Sequence, residues 1–92
     1  MKKFIMFHGR ECPHCHVMMP LVERLEREEG IVLEKIEVWH DQANAELMQS
    51  HKKVLMSCCG GRLLVPTFLN TENGDAFCGE VPYEKLKSWA GK

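Results

Sequence analysis

Two thiols stand three residues apart at the junction between a short apolar run and a longer amphipathic one: Cys12 and Cys15, in the segment Cys12-Pro13-His14-Cys15. The apolar run, residues 3–7, suits a strand buried on both faces. After Pro13 the apolar side chains recur at helical spacing. The thiols are therefore predicted where a strand turns into a helix, and a Cys-x-x-Cys pair beside a βαβ pattern favours thiol–disulfide exchange over a structural bridge.

The segments that follow complete a βαβ unit. The helix after the cysteines is expected to kink at Pro20 and to end at Gly30. Residues 31–39 are rich in β-branched side chains and predict a second strand, reached by a right-handed crossover. Asp41 is the expected N-cap of a helix that ends before Gly60. Its inner face is expected to carry Leu47, Met48, His51 and Leu55.

The remaining third of the sequence predicts two strands followed by a helix (ββα). Residues 63–70 form an apolar strand, and Asn73-Gly74 is a strong signal for a two-residue hairpin turn that leads into residues 76–78 as an antiparallel neighbour. Pro82 suits the first turn of a last helix, which ends at Gly91.

This order, βαβ followed by ββα, predicts an α/β fold with a four-stranded mixed sheet and helices on both faces. The sequence has 92 residues, which suits one domain over 1–92. The net charge is −1 and there is no long basic run, so a nucleic-acid partner is not expected. The N-terminal apolar run stops at His8, too short for a secretory or membrane-spanning segment, and a cytoplasmic protein without membrane contact is expected.

The sequence contains five cysteines, an odd number, and Cys58 and Cys59 are adjacent. This arrangement is a poor one for a disulfide-stapled secreted domain, so reduced thiols are expected. Packing is the simplest role for Cys58, Cys59 and Cys78. A resolving or regulatory role for these thiols, which are predicted near the same face as the Cys-x-x-Cys pair, is an alternative.

The position of each thiol predicts its role. At a helix start, the unpaired N–H groups and the positive end of the helix dipole stabilise a thiolate, which makes Cys12 the expected nucleophile. Cys15, nearly one turn into the helix, is expected to be more buried and to act as the resolving thiol. His14, if protonated, adds positive charge beside Cys12 and favours a more oxidising pair.

With this order of elements and the Cys12-Pro13-His14-Cys15 motif, the chain resembles the thioredoxin-like superfamily, specifically its small thioredoxin and glutaredoxin-like members. The resemblance covers essentially the whole chain. Pro20 stands five residues after the second cysteine, as the helix-kinking proline of thioredoxins does. Val65-Pro66-Thr67 is similar to the cis-proline turn of the family.

The resemblance implies a site around the cysteines. Pro66 would face the Cys-x-x-Cys pair, and Val65, within the turn that Thr67 completes, would pair its backbone with an extended substrate. Gly79 would lie beside the same groove. Lys35 matches the lysine that thioredoxins keep near the resolving cysteine, and with Pro13 and His14 it is a candidate modulator.

Several positions differ from the sequence patterns of thioredoxins or of glutaredoxins. Met6 stands where thioredoxins have a buried aspartate, and Glu11 replaces their tryptophan before the first cysteine. The Pro-His dipeptide is the one found in DsbA-type oxidants. Glutaredoxins bind glutathione partly through Gly-Gly followed by an acidic or hydroxyl residue, where this chain has Gly79-Glu80.

The expected function is thiol–disulfide exchange on protein substrates by a monomer that has no cofactor beyond a redox-active Cys12–Cys15 disulfide. Electrons would come from a reductase or from small thiols. Two alternatives remain open: a glutathione-dependent glutaredoxin, and a soft-metal carrier or metal-bridged dimer that uses Cys12, Cys15 and a histidine. No resident metal site is expected.

Overall fold

The computed structural model describes residues 3–58, 60–61 and 63–92. Its elements in chain order are β1 (Phe4–His8), α1 (Pro13–Glu29), β2 (Leu33–Glu37), α2 (Gln42–Ser50), α3 (Lys52–Cys58), β3 (Thr67–Asn70), β4 (Ala76–Cys78) and α4 (Tyr83–Trp89). Among these described residues, no helix has both the length and the apolar character that crossing a bilayer requires.

Over the described ranges, the strands form a four-stranded sheet in the order β2-β1-β3-β4. β1 runs parallel to β2 and antiparallel to β3, so that Phe7 is paired with Ile36 on one side and with Thr67 on the other. β4 is antiparallel to β3 and forms an edge. The predicted mixed sheet is confirmed. β1 lies in the interior of the sheet, which explains why its consecutive residues are apolar.

Successive side chains of β1 point to opposite faces of the sheet and enter two separate cores. Phe4 and Met6 belong to a cluster that includes both cysteines and the inner faces of α1 and α4, which we call the thiol-side cluster. Ile5 and Phe7 belong to a smaller cluster with residues of α2 and α3, which we call the opposite cluster. Helices therefore cover both faces, as predicted.

Both predicted ends of α1 are confirmed. Cys12 is the N-cap with extended backbone, and Pro13, which has no N–H to leave unpaired, follows as the first helical residue. Gly30 ends the helix at φ 67°, in the left-handed region that glycine tolerates. Pro20 lies within the helix, which continues through it to Glu29.

The single helix predicted from Gln42 is two helices, which is a correction. The backbone at His51 leaves the helical region, and its N–H donates to the carbonyl oxygen of Met48, 3.1 Å away, as in a tightened last turn. α3 then begins at Lys52. Met48 and Leu55, both on the predicted inner face, are buried in the opposite cluster on either side of this break. No glycine or proline marks the break in the sequence.

The predicted two-residue hairpin is also wrong. β3 and β4 are antiparallel neighbours, but residues 71–75 connect them. Side chains support this longer loop, because Asn70 Oδ1 accepts the N–H of Glu72 at 3.0 Å and Asn73 Oδ1 accepts that of Asp75 at 2.8 Å. Two strands are shorter than predicted: β2 covers 33–37 rather than 31–39, and β3 begins at Thr67 rather than at 63.

Candidate active site

The two cysteines of the motif lie at the start of α1 as free thiols. The loop before the helix is closed by a hydrogen bond of 3.1 Å from the N–H of Cys12 to the carbonyl oxygen of Gly9. Cys12 is 3% exposed and Cys15 is fully buried. The predicted difference in burial between the thiols is therefore present but small, since only an edge of Cys12 reaches solvent.

The surroundings of Cys15 also make its thiol hard to ionise. Burial is the main cause that raises the pKa of the Cys15 thiol to about 12, and the neighbouring Cys12 side chain adds to the effect. Cys15 therefore remains a neutral thiol over the physiological range. A neutral, buried Cys15 and a Cys12 at the N-cap position are compatible with the predicted roles of resolving thiol and nucleophile, which stay predictions.

The proline turn lies directly beside Cys12. The sulfur of Cys12 is 3.8 Å from the carbonyl oxygen of Val65, and the Val65–Pro66 peptide bond is cis. The N–H of Gly79 donates to the carbonyl oxygen of Pro66 at 2.9 Å, while the Thr67 hydroxyl donates back within the turn, to the carbonyl oxygen of Leu64. The structure thus brings together the residues predicted from the resemblance, although their binding role stays a prediction.

An open groove of about 510 Å³ runs along this turn. Its lining residues are His14, Leu64, Val65, Cys78, Gly79 and Glu80. Nδ1 of His14 contacts Oε2 of Glu80. Sequence reasoning gave Glu80 no such role, because its partner is 66 residues away and no local pattern connects them. Cys78 lines the groove, as the sequence hypothesis placed it.

On the other side of Cys12, one carboxylate organises two loops. Glu37, at the end of β2, accepts backbone N–H groups from Arg10 at 2.8 Å, Trp39 at 3.2 Å and His40 at 2.7 Å. Burial acts to raise the pKa of Glu37, but these three donors outweigh it and hold the pKa below its ordinary value. The carboxylate therefore ties the loop before Cys12 to the loop after β2.

Trp39 is not a core residue. The residue is 51% exposed, and its indole lies on the backbone of Gly9, where an added Cβ would come within 2.3 Å of the ring. Beside it, His40 Nε2 lies 2.6 Å from a carboxylate oxygen of Glu11. This contact lowers the pKa of Glu11. Trp89, by contrast, packs in the thiol-side cluster.

Lys35 is held by a carboxylate on α1. Its Nζ lies 2.6 Å from Oε2 of Glu26, and the same oxygen accepts the N–H of Leu33 at 2.9 Å. Among the described residues, its hydrogen-bonded partner is Glu26 rather than either cysteine. The structure shows the Lys35 ammonium bound to Glu26, and the modulating role that the resemblance implies for Lys35 stays a prediction.

Met6 occupies the position where thioredoxins have a buried aspartate. It is fully buried in the thiol-side cluster, and within the described part of the chain the buried polar side chains are those of Thr67 and Asn70, neither of which is a carboxylate.

The metal hypothesis has no ligand set among the described residues, where no three His, Cys, Asp or Glu side chains converge as a metal ion would require. Cys59 and Arg62 lie outside the described residues, and nothing is assigned to the side chain of Cys58.

Comparison with known proteins supports the fold. No protein-family model matches the sequence and no curated protein matches it significantly. Among solved structures, the chain is similar over its whole length to a glutaredoxin from Archaeoglobus fulgidus, with a TM-score of 0.70, 20% identity and 89% of that chain covered. It is also similar to a mutant of the thioredoxin-like protein BC3987, with a TM-score of 0.64, 20% identity, and 99% of this chain and 97% of that one covered.

The fold is thus the thioredoxin-like α/β fold predicted from the sequence, with a Cys-x-x-Cys pair at the start of its first helix. At 20% identity, the likeness to these two structures defines the fold alone. The chemistry has to be argued from the residues themselves.

Proposed function

We propose that the protein is a thiol–disulfide oxidoreductase that works through Cys12 and Cys15. The observation that carries the proposal is the position of Cys12: it is the N-cap residue of α1, and its sulfur lies 3.8 Å from the Val65 carbonyl oxygen, with an open groove along the adjoining turn. Cys15 lies behind it, buried and protonated. An attacking thiol beside a substrate groove and a shielded second thiol are what dithiol exchange requires.

In the reducing direction, the Cys12 thiolate attacks one sulfur of a substrate disulfide. The substrate S–S bond breaks, and a mixed disulfide joins Cys12 to the substrate while the first substrate thiolate leaves. Cys15 then gives its proton to a thiolate or to solvent and attacks the Cys12 sulfur. The second substrate thiol is released and the Cys12–Cys15 disulfide forms, so that two electrons pass from the protein to the substrate. The reverse sequence oxidises a substrate dithiol.

The substrates in this proposal are extended protein segments that contain a disulfide or a dithiol. The groove beside Pro66 and Gly79 accommodates such a segment, and the backbone of Val65 would pair with it as an added strand. The protein would act as a cytoplasmic monomer, regenerated by a reductase or by a small thiol. It would need no cofactor beyond its own disulfide.

Reduction of the insulin disulfides tests the proposal and separates two electron donors. We expect turnover when NADPH and a thioredoxin reductase regenerate the protein. Turnover with glutathione alone would instead assign it to the glutathione-dependent class. The proposal would be overturned if neither donor supported turnover and the oxidised protein also failed to oxidise a substrate dithiol. Mass spectrometry would first have to show that Cys12 and Cys15 are intact.

A further inference from the structure

We propose that Glu80 is a positioning residue for His14: its carboxylate binds the imidazole within the groove, offsets the positive charge that His14 can place beside the Cys12 thiolate, and so makes the Cys12–Cys15 pair less oxidising. This inference rests on the proposed function and identifies a residue that adjusts it. It concerns a contact between His14, inside the cysteine motif, and Glu80, outside it.

The contact spans the candidate substrate groove. His14 lies in the first turn of α1, and Glu80 lies in the loop between β4 and α4, so the pair of Nδ1 and Oε2 joins the helix start to the far end of the sheet. Both side chains line the groove, together with Val65, whose carbonyl oxygen is also the near neighbour of the Cys12 sulfur. Glu80 therefore holds the one histidine within the motif at a fixed place beside the nucleophile.

The expected effect on the redox equilibrium arises because the Cys12 thiolate and the Glu80 carboxylate both interact with the positive charge of a protonated His14. A protonated imidazole beside Cys12 stabilises the thiolate, which belongs to the reduced form, and makes the pair more oxidising. A carboxylate bound to the same imidazole offsets that charge and adds a negative one near the sulfur. Both side chains of the pair are substantially exposed, so solvent screening keeps the effect modest.

Three substitutions test this role of Glu80. Glu80→Gln keeps the size of the side chain and removes its charge. Glu84→Gln is the matched control, because Glu84 is an exposed carboxylate four residues further along and is not among the groove-lining residues. His14→Ala, alone and combined with Glu80→Gln, shows whether Glu80 acts through the imidazole.

The measurement is the thiol–disulfide equilibrium of each variant in glutathione buffers at about pH 6, where an unpaired imidazole is mostly protonated. Alkylation and intact mass give the fraction of the Cys12–Cys15 disulfide. We expect Glu80→Gln to shift the equilibrium roughly threefold to tenfold toward the dithiol, where tenfold corresponds to about 30 mV. Glu84→Gln should leave it unchanged, and most of the Glu80→Gln shift should disappear when His14 is alanine.

Two results would overturn the inference while leaving the proposed function intact. One is an equilibrium in Glu80→Gln equal to that of the wild type. The other is a full shift that persists without His14, because Glu80 would then act through its own charge and not by positioning the imidazole. If the wild-type protein formed no Cys12–Cys15 disulfide at any buffer ratio, the proposed function and this inference would fall together.

Discussion

The two faces of the sheet are packed differently. In the described part of the chain, the thiol-side cluster has 14 buried residues, among them both cysteines and the aromatic rings of Phe68, Phe77 and Trp89, whereas the opposite cluster has six. Phe68 and Phe77 stack with their ring centroids 4.7 Å apart, and Trp89 meets both edge-on. Aromatic pairs in these geometries add to the stability that burial alone provides.

This difference shows how the fold supports a reactive site. The helix that presents the thiols is fixed by the larger core, and Cys12 and Cys15 are themselves part of that core. Among the described residues, the buried members of the opposite cluster, which supports the sheet from the side of α2 and α3, include neither Cys12 nor Cys15. Core substitutions on the thiol side should therefore affect both stability and redox behaviour, whereas those on the opposite side should affect stability alone.

The largest expected effect is on the thiols themselves. Cys12→Ser should reduce turnover to the uncatalysed background, because no other thiol occupies the helix-capping position. Cys15→Ser should keep the first step and lose the second, and mixed disulfides with substrate should accumulate. Intact mass after reaction with a model disulfide measures both results. If Cys12→Ser accumulated mixed disulfides and Cys15→Ser formed none, the assigned roles would be reversed.

Removing an aromatic ring from the thiol side tests the coupling between core and site. Phe68→Ala should lower the free energy of unfolding by about 3–5 kcal/mol, since the side chain is fully buried. Because the thiols share this cluster, the Cys12–Cys15 equilibrium with glutathione should shift as well. Urea denaturation and the glutathione titration measure the two effects, and an unchanged equilibrium would contradict the coupling.

The matched substitution on the opposite face is Leu55→Ala. Leu55 is fully buried in the opposite cluster, and its truncation should cost about 2–5 kcal/mol of unfolding free energy. The glutathione equilibrium should remain at the wild-type value, measured well below the unfolding transition. A redox shift as large as that of Phe68→Ala would show that the two faces are not independent.

The buried thiol makes stability depend on alkaline pH. The pKa of Cys15 is about 12 in the folded protein, against about 8.5 for a thiol in an unfolded chain. A group whose pKa is raised by folding stabilises the protein fully below its unfolded pKa, and this contribution is lost as the pH rises toward the folded value. From about pH 9 upward, the reduced wild type should lose stability faster than Cys15→Ala. Parallel slopes in urea denaturation would argue against a buried, protonated Cys15.

A helix cap on the opposite side should give the smallest effect. The side chain of Asp41 accepts the N–H of Asn44 at 3.0 Å at the start of α2. Asp41→Ala should lower the unfolding free energy by about 1 kcal/mol. Asp41→Asn, which keeps an accepting oxygen, should recover most of this loss, and neither variant should change the redox equilibrium. A loss in Asp41→Asn equal to that in Asp41→Ala would show that charge, and not capping, is responsible.

The predictions that succeeded rest on local chemistry. Pro13 and Gly30 mark the ends of α1 because each residue has a backbone property suited to that position. The apolar run of β1 indicates an interior strand for the same kind of reason. The resemblance to thioredoxin-like proteins predicted a proline turn facing the thiols, and in the structure the carbonyl oxygen of Val65, in that turn, lies 3.8 Å from the Cys12 sulfur.

The failures and omissions involve contacts between distant residues. Nothing near Glu80 in the sequence indicates His14 as its partner, and nothing near Lys35 indicates Glu26. The break at His51 arises without a glycine or a proline, while the loop after β3 is longer than Asn73-Gly74 alone suggests because side-chain amides support it. Local propensity carries no information on such pairings, which depend on the whole fold.

The contact between Gly9 and Trp39 constrains how this sequence can diverge. Any side chain at position 9 would need the space that the indole fills, and the loop that it covers leads directly to Cys12. Neither position can therefore change freely without the other. Among homologues, a residue larger than glycine at position 9 should occur only together with a smaller residue in place of the tryptophan.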